Sequence, residues 1–267
     1  MSDEAVTDKP VLGIDIGGSG IKGAPVNLTT GELTTDRLKI ATPEKSTPKN
    51  VAAVVGEIVD HFADEIGDGP LGVTIPAVVT HGRTRSAANI DKSWIDAEAE
   101  KIFEDHLGRE IMLVNDADAA GVAEVRFGAA KDHPGLVLLT TLGTGIGTAI
   151  VYRGVLIPNS ELGHIELDGH DAETRAASSA RDREGLSHKD WAKRLQRYYS
   201  HLESLLWPDL IVVGGGVSRK ADKFLPLLDL KTEIVPAKLQ NTAGIVGAAW
   251  LAADRRVNPA PTSLSES

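Results

Sequence analysis

Val11-Leu-Gly-Ile-Asp-Ile-Gly-Gly-Ser-Gly-Ile-Lys22 runs an apolar strand straight into a glycine turn. Val11, Leu12, Ile14 and Ile16 surround one carboxylate, Asp15, just before the turn. Gly17, Gly18 and Gly20 let the backbone approach a ligand and tolerate positive φ. Ser19 and Lys22 add a hydroxyl and a cation. An acid for a divalent metal, bare amides and an ammonium group together suit a metal-bound phosphate. The same residues also suit a plain hairpin whose glycines serve geometry alone. The rest of the chain has to decide between the two.

Moving outward, residues 21–28 read as a second strand, Thr30-Gly31 as a tight turn and 33–40 as a third strand, an antiparallel meander. Val51, Val54, Val55, Ile58, Val59 and Phe62 recur at helical spacing, predicting a helix over 48–66. A strand at 71–75, an irregular loop over 84–96 and a helix over 97–107 closed by Gly108 follow. The apolar strand 111–114 runs into Asn115-Asp116-Ala-Asp118, which opens a helix reaching Phe127. The pattern then restarts: strand 136–141, glycine turn 142–147, strand 148–152, the turn Arg153-Gly154 and strand 155–158. Strand, glycine turn, strand, two-residue turn, strand thus occurs twice, which reads as an internal duplication; two unrelated hairpins are the alternative. Ser187 caps a long helix with an apolar and aromatic stripe at Trp191, Leu195, Tyr198, Leu202 and Leu205, a stripe expected in the core. Strand 210–213 ends in Gly214-Gly-Gly216, strand 232–235 follows, and helix 243–253 closes an α/β chain with mixed sheets. The Pro- and Ser-rich residues 258–267 are expected to be a disordered tail.

The 267 residues carry a net charge of −10, which argues against a general nucleic-acid or anionic-membrane surface. With no cysteine, disulfides, thiolate nucleophiles and cysteine-held zinc are excluded. The polar, acidic start lacks the apolar core of a secretory signal. No run reaches the ~18 apolar residues of a membrane helix. A cytoplasmic protein with no nucleic-acid or membrane partner is the expectation.

Four polar clusters follow the carboxyl ends of apolar strands: 15–22, Asn115-Asp116, 143–147 and 214–216. Ligands of open α/β sheets bind outside those strand ends. No G-x-x-x-x-G-K-[ST] is present, and Gly143, Gly145 and Gly147 do not extend to G-x-G-x-x-G because Thr148 follows. Taken by itself, Asp116 equally suits a helix cap.

Asp15-Ile-Gly-Gly-Ser-Gly-Ile-Lys22, Leu142-Gly-Thr-Gly-Ile-Gly147 and Gly214-Gly-Gly-Val-Ser218 resemble, in order, the phosphate and nucleotide motifs of the hexokinase–actin–Hsp70 superfamily. Asn115-Asp116 and Glu161-Leu-Gly-His164 narrow the resemblance to the ROK family of sugar kinases. Asp171-Ala-Glu173, Ser218-Arg-Lys-Ala-Asp222 and Asn241-Thr-Ala-Gly-Ile-Val-Gly247 are similar to its polyphosphate-dependent glucokinases. The similarity runs from about Val11 to Ala253. It implies a two-domain actin-like ATPase (ribonuclease H-like) α/β fold with duplicated mixed sheets and an active site in the interdomain cleft. The expected domains are 10–117 with 246–257, and 118–245.

The resemblance also implies roles. Asp116 would take the proton from a sugar 6-hydroxyl, a step typically worth ~10²–10⁴ in rate. Asn89, Asn115, Glu161, His164 and Glu173 would bind the other hydroxyls of glucose or mannose. Asp15 would hold Mg²⁺, directly or through water. Gly17, Gly18, Ser19, Lys22, Thr141, Gly143, Thr144, Gly145, Gly214, Gly215 and Gly216 would bind phosphate or nucleotide. The family's zinc cluster lacks its cysteines here, so no structural zinc is expected and residues 168–180 need other support. Lys193, Arg194, Arg197, Arg219 and Lys220 suit a track for polyphosphate, the donor expected beside ATP, since each neutralised phosphate releases counterions. They equally suit a solvated face whose acids, Asp182, Glu184 and Asp190, balance it. A non-catalytic, sugar-responsive regulator or binding protein of the same family is the alternative function. Against it, only about ten residues precede the first strand, too few for a helix-turn-helix. The assembly is expected to be a monomer or homodimer.

Overall fold

The computed structural model describes residues 9–87 and 90–254. Asn89 and the expected tail 258–267 lie outside them. The chain divides into two units, Met1–Val114 with Ala248–Ser267, and Asn115–Gly247. Residues 115–117 and 246–247, expected with the first unit, therefore belong to the second.

The first unit is built on β1 (Val11–Gly17) and β2 (Gly20–Asn27), which pair antiparallel from Val11↔Val26 to Gly17↔Gly20. The third strand is broken into β3 (Glu32–Leu33) and β4 (Leu38–Ile40), both against β2. Pro25 sits opposite the break and has no N–H to give the ladder, while its carbonyl accepts from Thr34 N. The expected helix over 48–66 is likewise two helices, α1 (Pro48–His61) and α2 (Ala63–Ile66). Phe62 leaves helical geometry between them (φ −104°, ψ 12°) with its side chain buried. β5 (Leu71–Ile75) pairs parallel with β1. A short hairpin, β6 (Val79–Thr80) and β7 (Arg83–Thr84), turns at His81-Gly82 ahead of the expected loop. α3 (Ala99–Leu107) ends on Gly108 in the left-handed conformation, φ 65°. β8 (Met112–Asn115) completes the sheet order β3-β2-β1-β5-β8. Leu12, Ile14, Val55, Ile58, Phe62, Val73, Trp94 and Phe103 form its core.

The second unit opens with α4 (Asp116–Arg126) and repeats the strand plan: β9 (Leu136–Leu142), β10 (Ile146–Tyr152) and β11 (Val155–Ile157) are antiparallel neighbours. A small ribbon, β12 (Glu166–Leu167) with β13 (His170–Asp171), leads to α5 (Glu173–Ala176), α6 (Ser178–Arg183) and α7 (His188–Leu206). β14 (Leu210–Gly214) runs parallel to β9, and β15 (Glu233–Pro236) parallel to β14. Helix α8 (Ala243–Ala253) ends the described chain. The order β11-β10-β9-β14-β15 matches the path β3-β2-β1-β5-β8 of the first sheet position for position: in each, a meander whose first long strand also takes a parallel neighbour, β5 on β1 and β14 on β9. Ser187 caps α7 through Asp190 N, and Trp191, Leu195, Tyr198, Tyr199 and Leu202 are buried in the second core. Leu205, expected in that stripe, is instead 57% exposed at the helix end. Among the described residues, no helix is long and apolar enough to cross a membrane.

Candidate active site

In the first unit, register places the charges. Asp15 on β1 lies opposite Lys22 on β2 and beside Thr74 on β5. Lys22 Nζ stands 3.5 Å from Asp15 Oδ2, and Thr74 Oγ1 donates to Asp15 Oδ1 at 2.9 Å. Thr42 Oγ1 donates to the Gly17 carbonyl at 2.5 Å, tying down the turn. Gly17 and Gly20 do not use positive φ, contrary to expectation; what they supply is space. A Cβ at Gly20 would stand 2.6 Å from Lys39 Cε. Gly18 and Ser19 form the exposed tip.

In the second unit, α4 starts on an asparagine cap. Asn115 Oδ1 accepts from Ala117 N (2.8 Å) and Asp118 N (3.1 Å), so the capping role open to Asp116 belongs to Asn115. Asp116 is the first helical residue, half-buried, with Oδ1 accepting from Ala117 N at 2.8 Å. Ala117 packs against the glycine turn: a Cβ on Gly147 would meet Ala117 Cβ at 2.9 Å and Thr141 Oγ1 at 2.6 Å.

That turn is braced from outside. Ser179 N donates to Gly143 O (3.0 Å) and Ser179 Oγ to Thr144 O (2.6 Å), drawing the carbonyls toward α6. Glu173 Oε2 accepts from Ile146 N at 2.9 Å. No protein atom lies within 4 Å of a Cβ built on Gly143, whereas one on Gly145 would strike Glu173 Oε2 at 2.3 Å. The turn at 214–216 lies at the foot of the same loop. Gly215 has φ +82°, and a Cβ there would meet the Leu142 carbonyl at 2.5 Å, so only glycine fits.

His164 stands between acids. Its Nδ1 is 2.9 Å from Asp171 Oδ2, and its Nε2 is 3.8 Å from Glu161 Oε2. The Asp171 bond raises the imidazole's pKa, with burial opposing. Burial raises that of Glu161, helped by Glu173 and opposed by His164. Asp171 Oδ1 also accepts from Glu173 N at 3.2 Å. With the bond from Trp191 Nε1 to Ala176 O (2.9 Å), these contacts supply the support that residues 168–180 were expected to need. Asn115, Asp116, Glu161, His164, Glu173 and the turn 143–146 thus share one neighbourhood of the second unit. Thr74, Asp118, Asp171 and Ser179 had no expected role; a lone polar residue in the apolar run 71–75 was the one local sign of Thr74.

The expected cations come from two elements, α7 and a 3₁₀ helix that follows β14. Lys193, Arg194 and Arg197 line a pocket of about 300 Å³ with His170 and Arg175. Each is paired: Lys193 with Asp190 (2.8 Å), Arg194 with Glu184 (2.5 Å) and Arg197 with Asp168 (2.7 Å). Arg219 and Lys220 are exposed residues of the 3₁₀ helix Gly216–Lys223 and are not among the residues that line that pocket.

A family model described as "ROK family" matches residues 11–183. The chain is 53% identical to a polyphosphate glucokinase of Mycobacterium tuberculosis over 246 residues, 92% of each protein. Among solved structures it resembles the inorganic polyphosphate/ATP-glucomannokinase of Arthrobacter sp. strain KM, with 50% identity and a TM-score of 0.88 over 92% of this chain and 99% of that one. A glucokinase of Streptomyces griseus, solved with glucose and AMPPNP, shares the fold at 23% identity and a TM-score of 0.78, over 91% of this chain and 99% of that one.

Proposed function

The chain belongs to the ROK family, and from that premise we propose that it transfers the terminal phosphoryl group of inorganic polyphosphate or ATP to the 6-hydroxyl of glucose, and of mannose. The observation that carries this reading is the placing of Asp116. Asn115 does the capping, and Asp116 stands at the head of α4 beside a glycine turn that Ser179 and Glu173 hold open.

In this mechanism Asp116 takes the 6-hydroxyl proton as the oxygen attacks the terminal phosphorus; the bond from that phosphorus to its bridging oxygen breaks, ADP or polyphosphate shorter by one unit leaves, and the proton stays on the Asp116 carboxylate. Asn115, Glu161, His164 and Glu173 pair with the other hydroxyls; Asn89 takes the same role by resemblance alone. A sugar hydroxyl left unpaired would cost on the order of 1–3 kcal/mol, so such a crowd of acceptors suits a buried sugar. Backbone amides at 143–145 are the phosphate-binding groups of the second unit, and Lys22, beside Asp15, is the phosphate-binding cation of the first. Alignment and charge neutralisation carry most of phosphoryl transfer, which asks little covalent work of the protein. Asp15 fits Mg²⁺: it is a partly exposed carboxylate, and the metal keeps most of its waters beside one or two such ligands. Bound there, Mg²⁺ would neutralise charge on the phosphate oxygens. Lys193, Arg194 and Arg197 carry the long donor, which would compete with Asp190, Glu184 and Asp168 for them.

D116N tests the base. Glucose binding measured by calorimetry stays near wild type, while turnover in a coupled assay falls by ~10²–10⁴; robust turnover would remove the assignment. For the donor, removing Lys193, Arg194 and Arg197 together weakens polyphosphate use with steep salt dependence and spares ATP. Equal losses with both donors would refute the track.

A further inference from the structure

The second unit buries two carboxylates on α4, and they are satisfied differently. Glu124 is 1% exposed and accepts from Ala129 N, Lys238 N and Leu239 N at 2.7, 3.1 and 2.7 Å. It is a finished structural anchor. Asp118 is 2% exposed, and its Oδ2 accepts from Asn159 N at 2.7 Å. Its Oδ1 is buried with no hydrogen-bond partner. A half-satisfied buried carboxylate is costly, so its retention calls for a purpose beyond filling space.

Its place suggests one. Asp118 lies two residues beyond Asp116, and Asn159 two residues before Glu161. Asn159 has φ 60°, a left-handed conformation that turns the chain out of β11. The other side of this strap is pinned to β10: Thr148 Oγ1 donates to Ser160 O at 2.7 Å and accepts from Leu162 N at 3.1 Å. Glu161 is thus suspended between two ties, one to β10 and one to the first turn of α4.

We propose that Asp118 is a positioning residue of the sugar site: it ties the strap 159–161 to the first turn of α4 and so sets Glu161 in register with Asp116. The proposal rests on the sugar-kinase reading and adds to it a residue that touches neither sugar nor phosphate. The charged groups facing Asp118 are Asp116 on its own helix and Glu161 on the strap. β10 offers the Thr148 hydroxyl. Burial pushes the Asp118 carboxyl up to about 7, the Asn159 amide pulls it back, and Asp116 and Glu161 push it further. The tie therefore changes charge around neutral pH. Either form can accept from Asn159 N; the ionised form accepts more strongly and repels Asp116 and Glu161.

The experiment compares wild type, D118A and D118N, measuring glucose KM and kcat at saturating ATP from pH 5.5 to 8.5, amide exchange across 159–162, and melting. In D118A the tie is gone: glucose KM rises about ten-fold, the size of one lost hydrogen-bonded contact, with a much smaller change in kcat, and the Asn159 amide exchanges faster. In D118N the amide oxygen still accepts, so KM and exchange recover most of the way. Its pH profile lacks a titration near pH 7 that wild type shows; His164 is common to both proteins and cancels in the comparison. Should D118A not fold, D118N decides through its pH profile. A D118A with unchanged KM and exchange, a D118N no better than D118A, or superimposable pH profiles of D118N and wild type would overturn the proposal. A wild-type protein that phosphorylates no hexose would overturn the underlying reading and this proposal with it; an active wild type beside an unaffected D118A would overturn this proposal alone.

Discussion

The two glycine turns share a frame and differ in chemistry. In the first unit the ladder closes at Gly17↔Gly20, leaving a two-residue tip, and two steps back from that closure it pairs Asp15 with Lys22. In the second it closes at Leu142↔Ile146 around the longer tip 143–145, and two steps back it pairs Thr140 with Thr148. An ion pair in one copy is thus a pair of hydroxyls in the other. Both hydroxyls are spent on structure, Thr140 Oγ1 bonded to Tyr199 OH at 2.7 Å and Thr148 Oγ1 to the Ser160 carbonyl. The first turn supplies charge and is held by its own register and by one outside bond, from Thr42 to the Gly17 carbonyl. The second supplies neutral amides and is held open by Ser179 and Glu173 from other elements. Duplication preserved the backbone plan, and side chains two steps back from each closing pair divided the labour.

The sharpest way to break this contrast is to remove the charge. D15N should lower kcat on the order of 10²–10³-fold, the size attached to losing one preorganised charge-stabilising group, and leave calorimetric glucose binding intact. Weakened glucose binding in D15N would mean that the first turn is not a phosphate element.

Next in size is a pair of alanines in the second turn. G145A drives a methyl into Glu173 Oε2 and should break the bond to Ile146 N, costing roughly ten- to a hundred-fold in turnover by misplacing the loop, and lowering Tm. G143A meets no protein atom within 4 Å, so it should melt like wild type. Any rise in donor KM in G143A then reports the close approach of a phosphate. A G143A protein with unaltered kinetics for both donors would count against the cradle.

A smaller effect is expected at Thr74. T74V removes the hydroxyl bonded to Asp15 Oδ1, so kcat should fall by several-fold, in line with about 0.5–1.5 kcal/mol for one hydrogen bond. It should do so without changing glucose KM. The smallest effect lies in stability against pH. Asp118 is raised to about 7 in the folded chain, so the stability it contributes at low pH is lost as pH rises through that value. D118N carries no such charge. The difference in Tm, D118N minus wild type, should therefore grow from pH 5 to pH 8; a constant or shrinking difference would show that the carboxyl stays neutral or finds a partner.

What was legible in the sequence follows from the range of each interaction. Periodicity and glycine turns act within a few residues, and they located β1, β2, β9, β10 and the aromatic stripe of α7 by residue number. The breaks at Phe62 and opposite Pro25 were not legible, because each depends on what lies across the sheet or beneath the helix. The hairpin 79–84 was missed because its strands have only two residues each, too short for a period to register. At the site, Asp116 and Glu161-Leu-Gly-His164 could be singled out as motifs. The bond from Thr74 to Asp15 and the one from Asn159 N to Asp118 join residues 59 and 41 positions apart, so no local pattern announces them.

The sequence alone determined the duplicated strand plan, the absence of cysteine chemistry and the family, because alternation, turn residues and ordered motifs are properties of the linear chain. Only the tertiary structure decided which of Asn115 and Asp116 caps α4, that Gly17 and Gly20 supply room instead of positive φ, and that the expected cations at 193, 194 and 197 each have an acid at hand. Those outcomes turn on distances between side chains brought together by packing, and burial and pairing exist only once the core has formed.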